Sequence, residues 1–452
     1  MDQIYWIVIF SLPCLILPVE HLMLLSVVGV ALADTRVVPI QFIYYLRFMP
    51  MGILCFRILA DPRLKRPLPK NSLYLVKVWA PFLAFVLLSA CYSLQPSISI
   101  QRGVSAIFVL AGFGIGIPLY FGHTKKMVRV LELISIVIGG TILYSLFITP
   151  SPESISVNQG DYERLQGIFR NPNTLGLLAM QLIFVLVYFW KKKKEEFTGK
   201  VILGTAIAVG VAMVATGSRA SAVGFTVGLL VWILGSTRVQ KRTLPAVWSV
   251  LLVIVSIFLI AGYFFPEYSG GLFRTDSAGR SLLWDWTWRA YKEGPFWGVG
   301  FGSSAEVFAR EALYLRSQGL YAAEAHNSFL SLLLELGFIG VAFALYGFVR
   351  LIIRVWKLLP YFEDPQLGVT LMAAILASLV NSVFETWIFN FGNSSTIPFW
   401  LFLGMISHQT VQAQLRARYA FIGTWRFHAS AKLRIMNGLK FGKPQRTDSR
   451  TN

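Results

Sequence analysis

Apolar runs long enough to cross a bilayer recur from one end of this chain to the other, and no other feature limits its fold so tightly. A helix needs about 20 apolar residues to span the hydrocarbon core, and backbone polar groups inside lipid must be satisfied within the structure itself. Such runs lie near residues 37–59, 73–91, 101–121, 127–149, 174–190, 201–217, 219–235, 244–265, 326–349, 367–386 and 394–411. Residues 4–32 add one long broken segment or a short hairpin, interrupted by Pro13, Pro18, Glu20 and His21. Counted once, that segment brings the expectation to an all-α, polytopic helical membrane protein with about 12 transmembrane helices.

Composition agrees. The chain is 55% hydrophobic and only 14% charged, with a mean hydropathy of +0.61, where a soluble domain carries about 25% charged residues. The net charge of +19 invites nucleic acid as a partner, but its location argues against it. Basic residues concentrate in short links: Arg63-Leu64-Lys65-Arg66, Lys191 to Lys194, Arg238 to Arg242, Arg350 to Lys357, and the tail after Arg416. The positive-inside rule assigns these links to the cytoplasm, where they meet anionic membrane lipids. With both termini cytoplasmic, every strongly basic link falls on the same side. Nothing suggests a base-reading surface, so nucleic acid is excluded. Cys14, Cys55 and Cys91 lie in apolar segments without CxxC spacing and are expected to be buried, reduced thiols. The N-terminus lacks a basic n-region and a cleavage site, so it reads as a retained membrane segment.

The chain divides into an N-terminal transmembrane bundle over 1–265, one partly helical extracytoplasmic loop domain over 266–325, C-terminal transmembrane helices over 326–411, and a basic cytoplasmic tail over 412–452. Three polar regions fall on the outer face: 150–173, the turn at 216–219, and the loop. Within the loop, Ser277 is placed to cap a helix carrying Arg280 at its third position and running through Trp284, Trp286 and Trp288 to a stop at Gly294-Pro295. A glycine-rich turn, Gly298-Val299-Gly300-Phe301-Gly302, precedes a second amphipathic stretch at 303–318. Nearly balanced charge and abundant aromatics indicate that the loop folds.

The sequence has no GxxxxGK[ST] loop, no HExxH, no CxxC and no Asp-x-Asp pair, so neither a metal site nor a cofactor is expected. What it offers is a set of cations and one histidine at the outer face. Arg219 precedes a helix with Ala220, Gly224 and Gly228 at four-residue spacing, which permits close helix packing and a rigidly held guanidinium. Guanidinium grips phosphate oxygens in pairs and keeps its charge; the plainer reading is a snorkelling arginine among lipid headgroups. Arg280 sits in a first helical turn, where the dipole disfavours a cation, although pairing with Asp276 would also explain it. Arg170 and Arg274 are weaker candidates of the same kind. His326, in Ala325-His326-Asn327-Ser328, is either a helix cap or a general base for a sugar hydroxyl. Glu324 is the nearer carboxylate to orient it, whereas Glu335 is out of phase and expected to pair within the bundle. The tryptophans suit interfacial anchoring better than sugar stacking.

These segments together resemble the O-antigen ligase and polymerase family of bacterial membrane proteins. The resemblance rests on Gly167-Ile168-Phe169-Arg170-Asn171-Pro172-Asn173, Thr216-Gly217-Ser218-Arg219-Ala220, Ala278-Gly279-Arg280-Ser281-Leu282-Leu283-Trp284, Pro295-Phe296-Trp297-Gly298-Val299-Gly300, Ala325-His326-Asn327-Ser328 and Leu334-Glu335-Leu336-Gly337. It covers roughly residues 160–345 in detail. It implies a GT-C-like glycosyltransferase architecture and an undecaprenyl-diphosphate-linked glycan donor. Transfer is then metal-independent and inverting, at the outer face of the cytoplasmic membrane. Arg219 and Arg280 are implied to hold the donor diphosphate and His326 to be catalytic. The acceptor is either a lipid-linked repeat unit, as in a polymerase, or a lipopolysaccharide core, as in a ligase. Asn381-Ser382-Val383-Phe384-Glu385-Thr386-Trp387 and Asn393 resemble exopolysaccharide polymerases somewhat more. A flippase for lipid-linked glycans is the competing class, but it would need cations along a cavity visited from both faces.

Overall fold

A computed structural model describes residues 14–33, 35, 48–65, 72–147, 164–240, 280–317 and 324–438. Their regular structure is helical, with an isolated bridge between Thr35 and Phe169. Among the described residues, six helices are long and apolar enough to cross a membrane, and four shorter apolar helices accompany them. The expected run at 244–265 and residues 37–47 of the run at 37–59 lie outside the described residues, as do Arg274 and the Ser277 cap.

In chain order the elements are α1 (Val19–Ala33), α2 (Met49–Ala60), α3 (Tyr74–Ser89), α4 (Pro96–Gly114), α5 (Gly116–Tyr120), α6 (Thr124–Phe147), α7 (Pro172–Lys192), α8 (Phe197–Ala215) and α9 (Arg219–Gln240). The loop region supplies α10 (Arg280–Glu293), α11 (Ser304–Arg310) and α12 (Ala312–Ser317). Then follow α13 (Ser328–Leu358), α14 (Pro365–Asn381) and α15 (Thr396–Gly438), the last continuing past residue 411 without a break.

Helix α7 is the most enclosed of the six long helices, with 78% of its apolar window buried, against 22% for α8. Exposed apolar side chains such as Ile207 on α8 and Phe147 on α6 are what a lipid-facing surface requires. Between apolar helices, packing and buried hydrogen bonds give the cohesion. Gln181 on α7 donates to Ser378 Oγ on α14 at 3.1 Å. The four-residue ladder of small residues on α9 meets α14 as its spacing predicts. A Cβ on Gly224 would stand 2.6 Å from Ala377 O, and one on Gly228 would stand 2.8 Å from Ala377 Cβ.

The loop helices have their own small core, in which Leu283, Tyr291, Phe308 and Leu315 pack with Ala325, Leu333 and Leu334 at the start of α13. Their docking interrupts α13. Gly337 adopts φ 61°, ψ −169°, a left-handed conformation inside the helix, and the freed carbonyls of Leu334 and Glu335 accept from Val299 N and Gly300 N at 3.0 and 2.9 Å. The glycine-rich turn is therefore a plug in a broken helix. A Cβ on Gly298 would lie 2.4 Å from the Glu335 carbonyl oxygen.

One expectation needs correction. Cys14 and Cys55 are buried, but Cys91 is exposed, because α3 ends at Ser89 and the chain turns outward there.

Candidate active site

Chain ends converge at one pole of the bundle: the starts of α7, α9 and α13 and the ends of α8 and α14. Asn171 caps α7 by accepting from Asn173 N. Gly176, one turn on, has no room for a Cβ because Thr216 Oγ1, Ser221 Oγ and Ser218 Cβ crowd it at 2.8–3.1 Å. The two motifs at 167–176 and 216–220 are thus one packed unit. Helix α14 stops at Asn381, short of the expected 386. Asn381 accepts from Trp387 Nε1 at 2.9 Å and donates to Ser221 Oγ at 3.3 Å, turning residues 382–387 across the bundle end. That segment is laced to the start of α13: Ser328 N donates to Ser382 O at 2.9 Å, Ser328 Oγ to Glu385 O at 2.7 Å, and Asn327 N to Thr386 Oγ1 at 3.0 Å.

Glu385 is the hub. Its Oε1 accepts from Arg280 NH2 at 2.7 Å and from Asn173 Nδ2 at 2.7 Å, and its Oε2 lies 3.6 Å from His326 Nδ1. Behind Asn173 stands Arg164, which donates to Asn173 Oδ1 at 2.5 Å and to Thr216 O at 2.8 Å. Burial pulls the Arg164 pKa down, and Glu385, Arg280 and Arg219 all act on its charge. Arg280 directly and Arg164 through Asn173 therefore converge on one carboxylate, with Arg219 close enough to act on the Arg164 charge. Arg219 is the first residue of α9 and Arg280 the first described residue of α10. Cations at helix N-termini oppose the helix dipole; an anion shared with the terminal N–H groups reverses that penalty.

The helix cap beside His326 belongs to Asn327, whose Oδ1 accepts from Phe329 N and Leu330 N at 2.9 and 3.0 Å. His326 therefore does not cap. It has φ 47° and is the one non-glycine residue with positive φ among the described residues, a conformation that costs energy and concentrates at functional sites. Glu324 Oε1 also approaches its Nδ1, at 3.7 Å. The interaction with Glu385, opposed by burial and reinforced by both carboxylate charges, raises the His326 pKa above 6.5. Beside it, a polar cavity of about 60 Å³ is lined in part by Arg102, Ser304, Glu324 and Glu335, with room for a few waters. Glu335 accepts from Ser304 at 2.6 Å and faces Arg102 at 4.0 Å, paired within the bundle as its phase implies.

Of the expected residues, the structure joins Arg280 and His326 around Glu385, brings Glu324 to His326, and sets Arg219 within the field of Arg164. Arg170 is exposed, and its Nε donates to Thr35 O at 3.4 Å instead of to Glu385. Trp286 packs on Phe308 inside the loop core, Trp288 and Trp297 are exposed, and Trp284 lies against Phe384, next to Glu385. Glu385, Asn173 and Arg164 were not singled out as site residues from sequence. An acid inside an apolar run marks function by default, and Glu385 lies inside the run at 367–386.

Residues 204–345 match the family model described as O-antigen ligase. That match supports the O-antigen ligase-like family and a glycosyltransferase-type membrane enzyme. It includes Arg219, Arg280, Glu324 and His326, whereas Arg164, Asn173 and Glu385 stand outside it. The comparison with curated proteins gives no match.

Proposed function

We propose that this protein, with its O-antigen ligase region at residues 204–345, transfers glycans at the outer face of the bacterial cytoplasmic membrane. It moves an oligo- or polysaccharide from undecaprenyl diphosphate to an acceptor sugar in the making of a surface polysaccharide. The observation that carries this reading is the convergence on Glu385. Arg280 and His326, 46 residues apart in sequence, meet one carboxylate at 2.7 and 3.6 Å.

The acceptor hydroxyl oxygen forms a bond to the anomeric carbon from the face opposite the leaving group, which inverts that centre. The bond from that carbon to the phosphate oxygen breaks, and undecaprenyl diphosphate departs with the electron pair. Arg219 and Arg280 meet the charge that develops on it, and His326 takes the hydroxyl proton. Glu385 and Glu324 face Nδ1, leaving Nε2 to accept that proton. No step in this scheme calls on a metal. Residues 381–387 favour polymerisation slightly over ligation; in a deletion strain, unpolymerised single repeats mark a polymerase, and lipid-linked polymer with bare core marks a ligase.

The direct test uses purified protein, a lipid-linked glycan and a candidate acceptor. Arg219→Lys keeps the charge but loses the planar fork, and Arg280→Ala loses both. Each is expected to slow transfer about a hundredfold, roughly 3 kcal/mol in barrier, at unchanged membrane insertion. Near-normal transfer by Arg219→Ala at matched protein level overturns its role and favours a snorkelling cation.

A further inference from the structure

The opposite pole of the bundle carries a second feature that the transfer reaction does not use. Lys192 pairs with Asp364 at 2.6 Å, Lys193 with Glu132 at 2.6 Å, and Arg416 with Glu363 at 3.2 Å. Most of the basic links therefore meet here, and several of their cations are neutralised. Three others have no carboxylate partner among the described residues. Arg350, Arg354 and Lys357 follow one another along the last two turns of α13 and line an open groove of about 530 Å³, whose walls hold no carboxylate. Helix α13 rises about 1.5 Å per residue, so the groove lies roughly 30–50 Å along the chain path of that helix from His326.

The groove has a greasy part and a charged part. Tyr346, Val349 and Ile353 are each about half exposed and face outward one turn apart, where a bilayer would cover them. At the end of the helix the charges take over. The Arg354 guanidinium stacks over the Tyr74 ring, 3.9 Å from its centroid, and also bonds Gln414 on α15, so it is fixed in place. Arg350 lies over Tyr346 at 5.9 Å, and Lys357 is exposed. Apolar walls that lead up to three uncompensated cations, one of them clamped, complement a lipid with acyl chains below and a negative headgroup above.

We propose that this groove binds an anionic diacyl phospholipid from the leaflet opposite the candidate active site, with its phosphate at Arg354 and flanked by Arg350 and Lys357. The inference rests on the groove and its charge alone and stands independently of the transfer reaction. The test reconstitutes the full chain into nanodiscs of equal phosphatidylglycerol and phosphatidylcholine and reads retained lipids by native mass spectrometry. Wild-type protein is expected to retain phosphatidylglycerol over phosphatidylcholine. Arg350→Ala/Lys357→Ala leaves the clamped Arg354 untouched, so the fold is preserved; it is expected to weaken that retention about 30-fold, at roughly five- to sixfold per cation. Ile353→Trp fills the apolar part without changing charge and is expected to reduce retention of both lipids. Lys194→Ala/Lys200→Ala, which removes the same charge from exposed positions just before and just inside the start of α8, is expected to retain lipid as wild type does. Equal retention of the two lipids by wild type, unchanged retention in the Arg350/Lys357 or Ile353 variant, or equal loss in the Lys194/Lys200 variant would each overturn the site.

Discussion

At the scale of single residues, His326 carries the sharpest expectations. Because Asn327 holds the cap, the two neighbours separate in their effects. Asn327→Ala should cost about 1 kcal/mol of stability, read as a lower melting temperature in detergent. His326→Ala should remove transfer by a factor on the order of a hundred to ten thousand while lipid-linked donor still binds. His326→Gly and His326→Asn both accept the left-handed backbone at φ 47°, so they should fold at least as well as wild type and still be inactive. Activity in any of the three removes the imidazole from the reaction. The pH profile adds a second check. Only neutral imidazole can act as the base, and the pKa is raised above 6.5, so the rate should fall as pH drops through a midpoint above 6.5. Glu385→Gln removes one raising charge and should move that midpoint downward as well as slowing transfer. An unmoved midpoint assigns Glu385 a purely structural part.

At the scale of elements, the break in α13 ties the loop to the membrane helices. A side chain at Gly337 would need a left-handed backbone and would place its Cβ 2.1 Å from Phe296 O. Gly337→Ala should therefore undock the glycine-rich turn, raise protease sensitivity over 280–317, and lower transfer with no change to any charged residue. Gly204, on α8, has open space where a Cβ would go, and Gly204→Ala should be neutral or stabilising by up to about 1 kcal/mol. Equal behaviour of the two variants would show that the turn is not held by this close approach.

At the scale of the whole molecule, the fold is two poles. The motif residues gather at one, and Lys192, Lys193, Arg354 and Arg416 gather at the other. By the positive-inside rule we propose that the motif pole is extracytoplasmic. A membrane-impermeant maleimide should label native Cys91, which is exposed beside the loop, and Leu313→Cys on α12, which is 82% exposed. It should not label Lys194→Cys, each engineered site being tested without the other thiols in intact cells whose outer membrane, where there is one, is permeable. Labelling at 194 alone would reverse the orientation and with it the proposed chemistry.

What the sequence by itself determined was whatever depends on residues close along the chain. Hydropathy located most of the helices within a few residues, since a bilayer span is a local property of some 20 residues. The small-residue ladder of α9 follows from local spacing in the same way, whereas the cap before α13 falls on Asn327 and not on His326. The candidate site was legible only in part: Arg219, Arg280 and His326 stand in short recognisable motifs. Their mutual geometry was not legible, because Glu385 reaches Arg280 across 105 positions and Asn173 across 212. Such contacts arise only when α14 ends early and folds residues 382–387 over the start of α13. A hydropathy profile reads Glu385 as the fringe of an apolar run. Packing makes it the carboxylate that two helices and a histidine share, since a buried charge is stable only where partners from elsewhere in the fold come to meet it.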